Sequence, residues 1–164
     1  MRRLVLAVVV AALATPTLAQ NLPSQGTFAI GATLSSDPTT GAVDLGSGLN
    51  LSYLALDNLK LEGDFGIVSV ENVATVISVS ANAFYYVTRI PIAQMAFPVG
   101  GGVGLNFVSP SVGDSTTQFV LFLGGGAEYF ISRHFSAQLL EGLTFNTQPD
   151  VFALATRVGL NWYF

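Results

Sequence analysis

The tripeptide His134-Phe135-Ser136 is the first place in this chain where residue types suggest chemistry. A histidine near a serine is the minimum needed for general-base activation of a hydroxyl, but the nearest glutamate, Glu141, is only five residues past the serine. The placement argues otherwise. Ser132-Arg133-His134 has the composition of a tight turn, where a histidine is usually solvated. The remaining candidates are charges rather than nucleophiles. Lys60, Glu62, Asp64, Glu128, Glu141 and Arg157 lie in segments of alternating polarity, and converging they would make an electrostatic gate, an ion path or a structural plug of salt bridges. The plug is the expectation. Gly100-Gly101-Gly102 and Gly124-Gly125-Gly126 invite a phosphate-loop reading. Neither fits the G-x-G-x-x-G spacing; after Gly100 and Gly102 the third glycine position holds Leu105. No metal-ligand spacing and no cofactor motif is present.

The composition narrows the setting in which these charges act. The chain has 164 residues, 51% hydrophobic and 10% charged, with 17 glycines, no cysteine and a formal net charge of −4. Soluble domains carry about 25% charge. A nucleic-acid binder needs a basic stripe, and a disulfide framework or thiolate metal site needs cysteine; both are excluded. At the N-terminus, Arg2 and Arg3 precede an apolar run from Leu4 to Leu13. Pro16 and the small-residue site Thr17-Leu18-Ala19 follow, which is the plan of a secretory signal peptide over 1–19. The run is too short for a membrane-spanning helix. Removing it leaves four basic residues against ten acidic ones, a net charge of −6.

Beyond a short segment at 20–26, the chain alternates with period two in eight stretches. They run Thr27 to Ser35, Val43 to Tyr53, Leu59 to Val70, Thr75 to Val87, Val99 to Val108, Gln118 to Phe130, Phe135 to Phe145 and Val151 to Phe164. In the first, Phe28, Ile30, Ala32 and Leu34 oppose Thr27, Gly31, Thr33 and Ser35. In the last, Phe152, Leu154, Val158, Leu160, Trp162 and Phe164 oppose Ala153, Arg157, Gly159, Asn161 and Tyr163. Such strands suit a soluble barrel with an apolar interior or a membrane barrel with the polarity inverted. The faces decide. Apart from the seventh strand, the apolar faces carry no charge. The opposite faces are rich in Gly, Ser and Asn, where a soluble protein would place Lys and Glu. Tyr53, Tyr85, Tyr129 and Trp162 gather at one set of strand ends, as an interfacial aromatic girdle does.

Two places depart from the pattern. Pro98 cannot donate to a ladder, so the fifth strand is expected to begin there, after a long connection from Thr88 to Phe97. Strict alternation in the seventh strand would point Glu141 into lipid, which is costly. A bulge at Leu139-Leu140, turning Glu141 inward, is the preferred expectation. Arg157 would then sit between Glu128 and Glu141, or reach Glu62.

The terminal residues Gly159-Leu160-Asn161-Trp162-Tyr163-Phe164 resemble the last strand of bacterial outer-membrane β-barrels, which ends on an aromatic residue preceded by alternating apolar ones. Val158, Leu160, Trp162 and Phe164 match that pattern. The glycine-rich stretches also resemble strands of small barrels of the OmpA/OmpX transmembrane type. The resemblance implies recognition of the final strand by the barrel-assembly machinery and carries no activity. His134-Phe135-Ser136 is faintly similar to the His-x-Ser pair of outer-membrane lipid A deacylases, but here no Asn follows the serine.

The expectation is an all-β, eight-stranded antiparallel up-and-down transmembrane β-barrel over 27–164. It is exported to the bacterial outer membrane and holds both termini in the periplasm. A structural or weak small-solute pore role is expected, with a side-chain-filled polar lumen and without enzymatic activity, cofactor or nucleic acid. Its partners are outer-membrane lipid and lipopolysaccharide, and the chain is a monomer. Its short outer loops carry single acids at Asp37, Glu71, Asp114 and Asp150 that are read as solvated tips. The alternatives are an outer-membrane lipid hydrolase using His134 and Ser136, and a secreted lipocalin-like carrier of an apolar ligand.

Overall fold

The computed structural model describes residues 22–37, 44–70, 73–91, 93–147 and 150–164. The proposed signal peptide at 1–19 and the loop acid Glu71 lie outside them. Eight strands follow in order: β1 Phe28–Asp37, β2 Asp44–Leu56, β3 Leu59–Val70, β4 Ala74–Ile90, β5 Met95–Pro110, β6 Thr116–Phe130, β7 Phe135–Thr147 and β8 Asp150–Tyr163. Each pairs antiparallel with its sequence neighbours, and β8 returns to β1, so the sheet is a closed barrel. Reciprocal backbone bonds between Phe28 and Phe164, at 3.3 and 2.9 Å, complete the seam.

The register sets the barrel's dimensions. Following paired residues from Tyr163 through Ala29, Ser52, Glu62, Asn82, Gly102, Phe122 and Thr144 returns to β8 at Ala153. One circuit therefore shifts ten residues along a strand. With eight strands and ordinary strand spacings this tilts the strands by about 40° and leaves a radius of roughly 8 Å, just enough for side chains inside. Glycines relieve the inner crowding: a Cβ on Gly126 would collide with the Leu139 carbonyl of β7.

The alternation is realised with apolar residues outward. Leu123 and Phe152 are 68% and 73% exposed, while Lys60 and Glu128 are fully buried in the interior. That polarity rules out the lipocalin-like arrangement, whose apolar face would line the cavity. Aromatic residues cluster around the rim where β1 begins and β8 ends (the terminal rim): Phe28 lies 4.6 Å from Tyr53, and Phe135 stacks on Trp162 at 6.0 Å. At the opposite, distal rim Phe145 meets Phe152 at 4.8 Å.

Two expectations are corrected. β7 contains no bulge: Leu139, Leu140 and Glu141 pair in unbroken register with Ala127, Gly126 and Gly125 on β6 and with Val158, Arg157 and Thr156 on β8. Leu140 is buried in the lumen, and Glu141 is exposed on the outer surface. A bulge would leave backbone polar groups unpaired on a lipid-facing wall, at several kcal/mol each. The side chain instead lies between the small neighbours Gly125 of β6 and Thr156 of β8. Pro98, in turn, lies inside β5. The expected long connection is strand as far as Ile90 and from Met95 onward. The register slips between Tyr86 and Thr88, a bulge that accommodates a residue without an N–H.

The lumen at the terminal rim is packed shut. Ala29, Leu54, Tyr86, Ala96, Phe130 and Tyr163 form a buried cluster on which Leu22 rests. Arg89 holds the segment before β1 in place, bonding the carbonyl of Pro23 and, at 2.6 Å, that of Asp57.

Candidate functional site: a charge network across the lumen

Period-two strands put Lys60, Glu62 and Asp64 of β3 on the same inner face, and the ten-residue shear carries them to the level of β6–β8. Lys60 therefore meets Glu128, 68 positions away, at 3.3 Å. Its ammonium also lies 3.5 Å from Glu62 and donates to Gln138 Oε1 at 3.0 Å. It lies 5.7 and 5.9 Å from the ring centres of Phe84 and Tyr86.

Glu128 is the hub, buried with five donors converging on one carboxylate. Tyr86 donates to Oε2 at 2.6 Å; Ser136, Tyr163 and Asn161 donate to Oε1 at 2.5, 2.6 and 3.2 Å. The fifth donor is Lys60. Glu62 accepts from Ser52 at 3.0 Å and Asn50 at 3.3 Å, and is paired with Arg157. Arg157 also binds Asp64 Oδ1 at 3.0 Å, while Asp64 Oδ2 accepts from Ser80 and Asn82. Buried carboxylates of this kind need a cation or several donors each, and all three have them. Two basic side chains face three carboxyl groups, a formal excess of one acid.

Five of the six charges singled out in the sequence thus come together, and Glu141 stands apart on the outer wall. Arg157 bridges Glu62 and Asp64, not Glu128 and Glu141. The neutral members Tyr86, Tyr163, Ser136, Gln138 and Asn161 are not legible in the sequence as a set: each reads only as an inward position of its own strand, and the register alone brings them together.

His134 and Ser136 are separated by their surroundings. His134 is exposed in the β6–β7 turn, where Nδ1 donates to the Tyr163 carbonyl at 3.0 Å and Nε2 accepts from Arg133. Ser136 is buried and donates to Glu128. The two do not form a nucleophile–base pair. Among the described residues no group of acids and histidines has the arrangement of a metal site.

The outward-facing side chains of β8 include Val158, Leu160 and Trp162, and Phe164, just past its end, continues the exposed row. No curated protein sequence matches the chain. Among solved structures, the N-terminal β-barrel domain of Pseudomonas aeruginosa OprF is similar, with a TM-score of 0.73, 14% identity, 87% of this chain covered and 100% of that one. Neisserial surface protein A gives a TM-score of 0.67 at 14% identity, covering 87% of this chain and 99% of the other. A de novo designed transmembrane β-barrel gives 0.55 at 13% identity, with 88% and 100% covered. At these identities the likeness concerns the fold. Residues 5–164 match the sequence profile described as the outer membrane protein beta-barrel domain. That match spans nearly the whole chain and agrees with the closed eight-stranded barrel, and the chain belongs to this family.

Proposed function

We propose that this barrel is a resident of the bacterial outer membrane with a structural role, its lumen closed to free passage by the charge network. The observation that carries this reading is the complete burial of Lys60 and Glu128 in the cross-section of a barrel wide enough only for side chains. The aromatic terminal rim and both chain ends face the periplasm in this reading, after cleavage of the signal peptide near residue 19. Residues 5–164 matching an outer-membrane family supports that location. The row Val158, Leu160, Trp162 and Phe164 is the segment offered to the barrel-assembly machinery, and outer-membrane lipid is the partner of the wall. No catalytic role is assigned to His134 or Ser136, which sit in separate hydrogen-bond networks.

A weak small-solute pore is the second reading, favoured by the partial exposure of Arg157 and Asp64 on the distal side of the network. Planar-bilayer recordings of the full chain test both. The structural reading expects no discrete channel events from the wild-type protein and small cation-preferring events from Arg157→Ala, which frees Glu62 and Asp64. Discrete wild-type conductance would replace it with the pore.

A further inference from the structure

The inner face changes character along the lumen. At the terminal rim Tyr86, Phe130 and Tyr163 fill the cross-section. Towards the distal rim the inward positions hold shorter side chains, and a cavity of about 350 Å³ remains. Val68, Val76 and Val108 are register partners across β3, β4 and β5, so they form one inner row, and Val120 of β6 continues the apolar wall. The floor is Phe122 beside Arg157. Phe122 is fixed by its surroundings: its ring lies 6.3 Å from that of Phe84, edge-on, and covers Gly124 and Gly142, where a Cβ would meet it at 2.8 and 2.7 Å. Arg157 is the one charged side chain on the described lining, and its guanidinium is already paired with Glu62 and Asp64, which do not line the cavity. Those two pairings leave further N–H groups of its five, and 18% of the side chain is exposed. The network therefore shows the cavity hydrogen-bond donors whose charge is matched from behind.

We infer that the distal lumen is a binding site for a small neutral molecule that carries one carbonyl acceptor on an aromatic or aliphatic body. The carbonyl accepts from Arg157, and the body lies against Phe122, Val120 and the valine row. Charge selects against the other classes. A cation would face the guanidinium, and an anion would add a fourth acid to a network with a formal excess of one. A plain hydrocarbon would cover the apolar wall but strip water from the Arg157 donors without replacing it. The volume is at the low end for small-molecule sites and admits about a dozen non-hydrogen atoms. The network serves as a floor only if it closes the lumen, so this inference rests on the structural reading above. Bilayer conductance tests that closure and occupancy of the cavity tests binding, so the two can fail separately.

Methyl NMR of the full chain in phosphatidylcholine nanodiscs tests the site, with acetophenone as the probe. Its comparators are α-methylstyrene, which replaces the carbonyl by a carbon of like shape, and the charged benzoate and benzylamine. Saturable shifts are expected at the inward Val68, Val76, Val108 and Val120 methyls. None is expected at Val87, Val99 and Val158, which are exposed on the outer wall and do not line the cavity. Referred to free aqueous concentration, acetophenone should bind at least fivefold tighter than α-methylstyrene and at least tenfold tighter than either charged probe. Arg157→Met/Asp64→Asn removes the donor together with a carboxylate it pairs. It should abolish the preference for the ketone while leaving the affinity of α-methylstyrene within about twofold. Val120→Trp, which fills the cavity from β6, should abolish the inward shifts for both. A ketone preference that survives the double change, or inward shifts that survive Val120→Trp, would overturn the inference. Shifts of equal size at inward and outward valines mean bilayer partitioning and also overturn it. So does acetophenone binding no tighter than α-methylstyrene or benzoate in the wild-type protein, a result that needs no variant to fold.

Discussion

Replacing Lys60 with methionine removes the ammonium while keeping most of the side-chain volume. In the native barrel that ammonium lies 3.3 Å from Glu128, 3.5 Å from Glu62 and 3.0 Å from Gln138, fully buried. At an effective dielectric constant of about 20, each ion pair has a gross attraction of roughly 5 kcal/mol, most of it offset by desolvation. Deleting one member of a buried pair costs about 3–5 kcal/mol because the survivor keeps its burial without its counterion. Glu62 retains Arg157, and Glu128 retains four neutral donors, so the lower end, about 3 kcal/mol, is expected. Lys60→Met/Glu128→Gln removes both charges and should recover at least 1.5 kcal/mol relative to the sum of the single changes. The assay is reversible urea unfolding from phospholipid vesicles, followed by fluorescence of Trp162, the single tryptophan, on the outer wall beside Phe135. A cost below 1 kcal/mol for Lys60→Met, or additive effects in the double variant, would refute the view that this pairing closes the lumen energetically as well as sterically.

Three further outcomes follow from the same geometry. Glu141→Leu should stabilise the barrel in bilayers by about 1–2 kcal/mol, because it removes a carboxyl from the lipid-facing wall; a loss of stability in the same urea titration would show that Glu141 is paired. Gly126→Val should cost more than about 3 kcal/mol, since its new side chain meets the Leu139 carbonyl and the adjoining backbone of β7; near-native unfolding would disprove the close packing at that inner position. Phe164→Ala should lower the folded yield in cells several-fold while refolding in detergent changes little, as measured by heat-dependent migration on gels. Equal losses in both settings would assign Phe164 to the β1–β8 seam, where it stacks 6.4 Å from Phe28, rather than to assembly.

Much of the barrel is legible in the sequence because side-chain direction in a strand depends only on parity. Leu49, Leu51, Phe65 and Leu160 read as one wall and Asn50, Glu62 and Asn161 as the other before any pairing is known. Glu141 shows the limit of that reasoning. Weighed as a residue, its carboxylate argues for a bulge. Weighed as part of a closed ladder, the backbone of β7 cannot give up its bonds to β6 and β8, and the side chain goes where the register sends it. Pro98 failed as a strand boundary for the complementary reason. The bulge in the neighbouring β4 absorbs its missing donor, and nothing near Pro98 in the chain announces that.

Composition and alternation alone established an apolar outer surface, a polar inner one, eight strands and an interior holding Lys60, Glu62, Asp64, Glu128 and Arg157. The tertiary structure alone decided who meets whom. Contacts between residues 68 and 95 positions apart depend on the shear of the closed sheet, a property of all eight pairings together that no single segment encodes. It is that shear which gives Glu128 its five donors, gives Arg157 to Glu62 and Asp64, and leaves a valine-lined space above them.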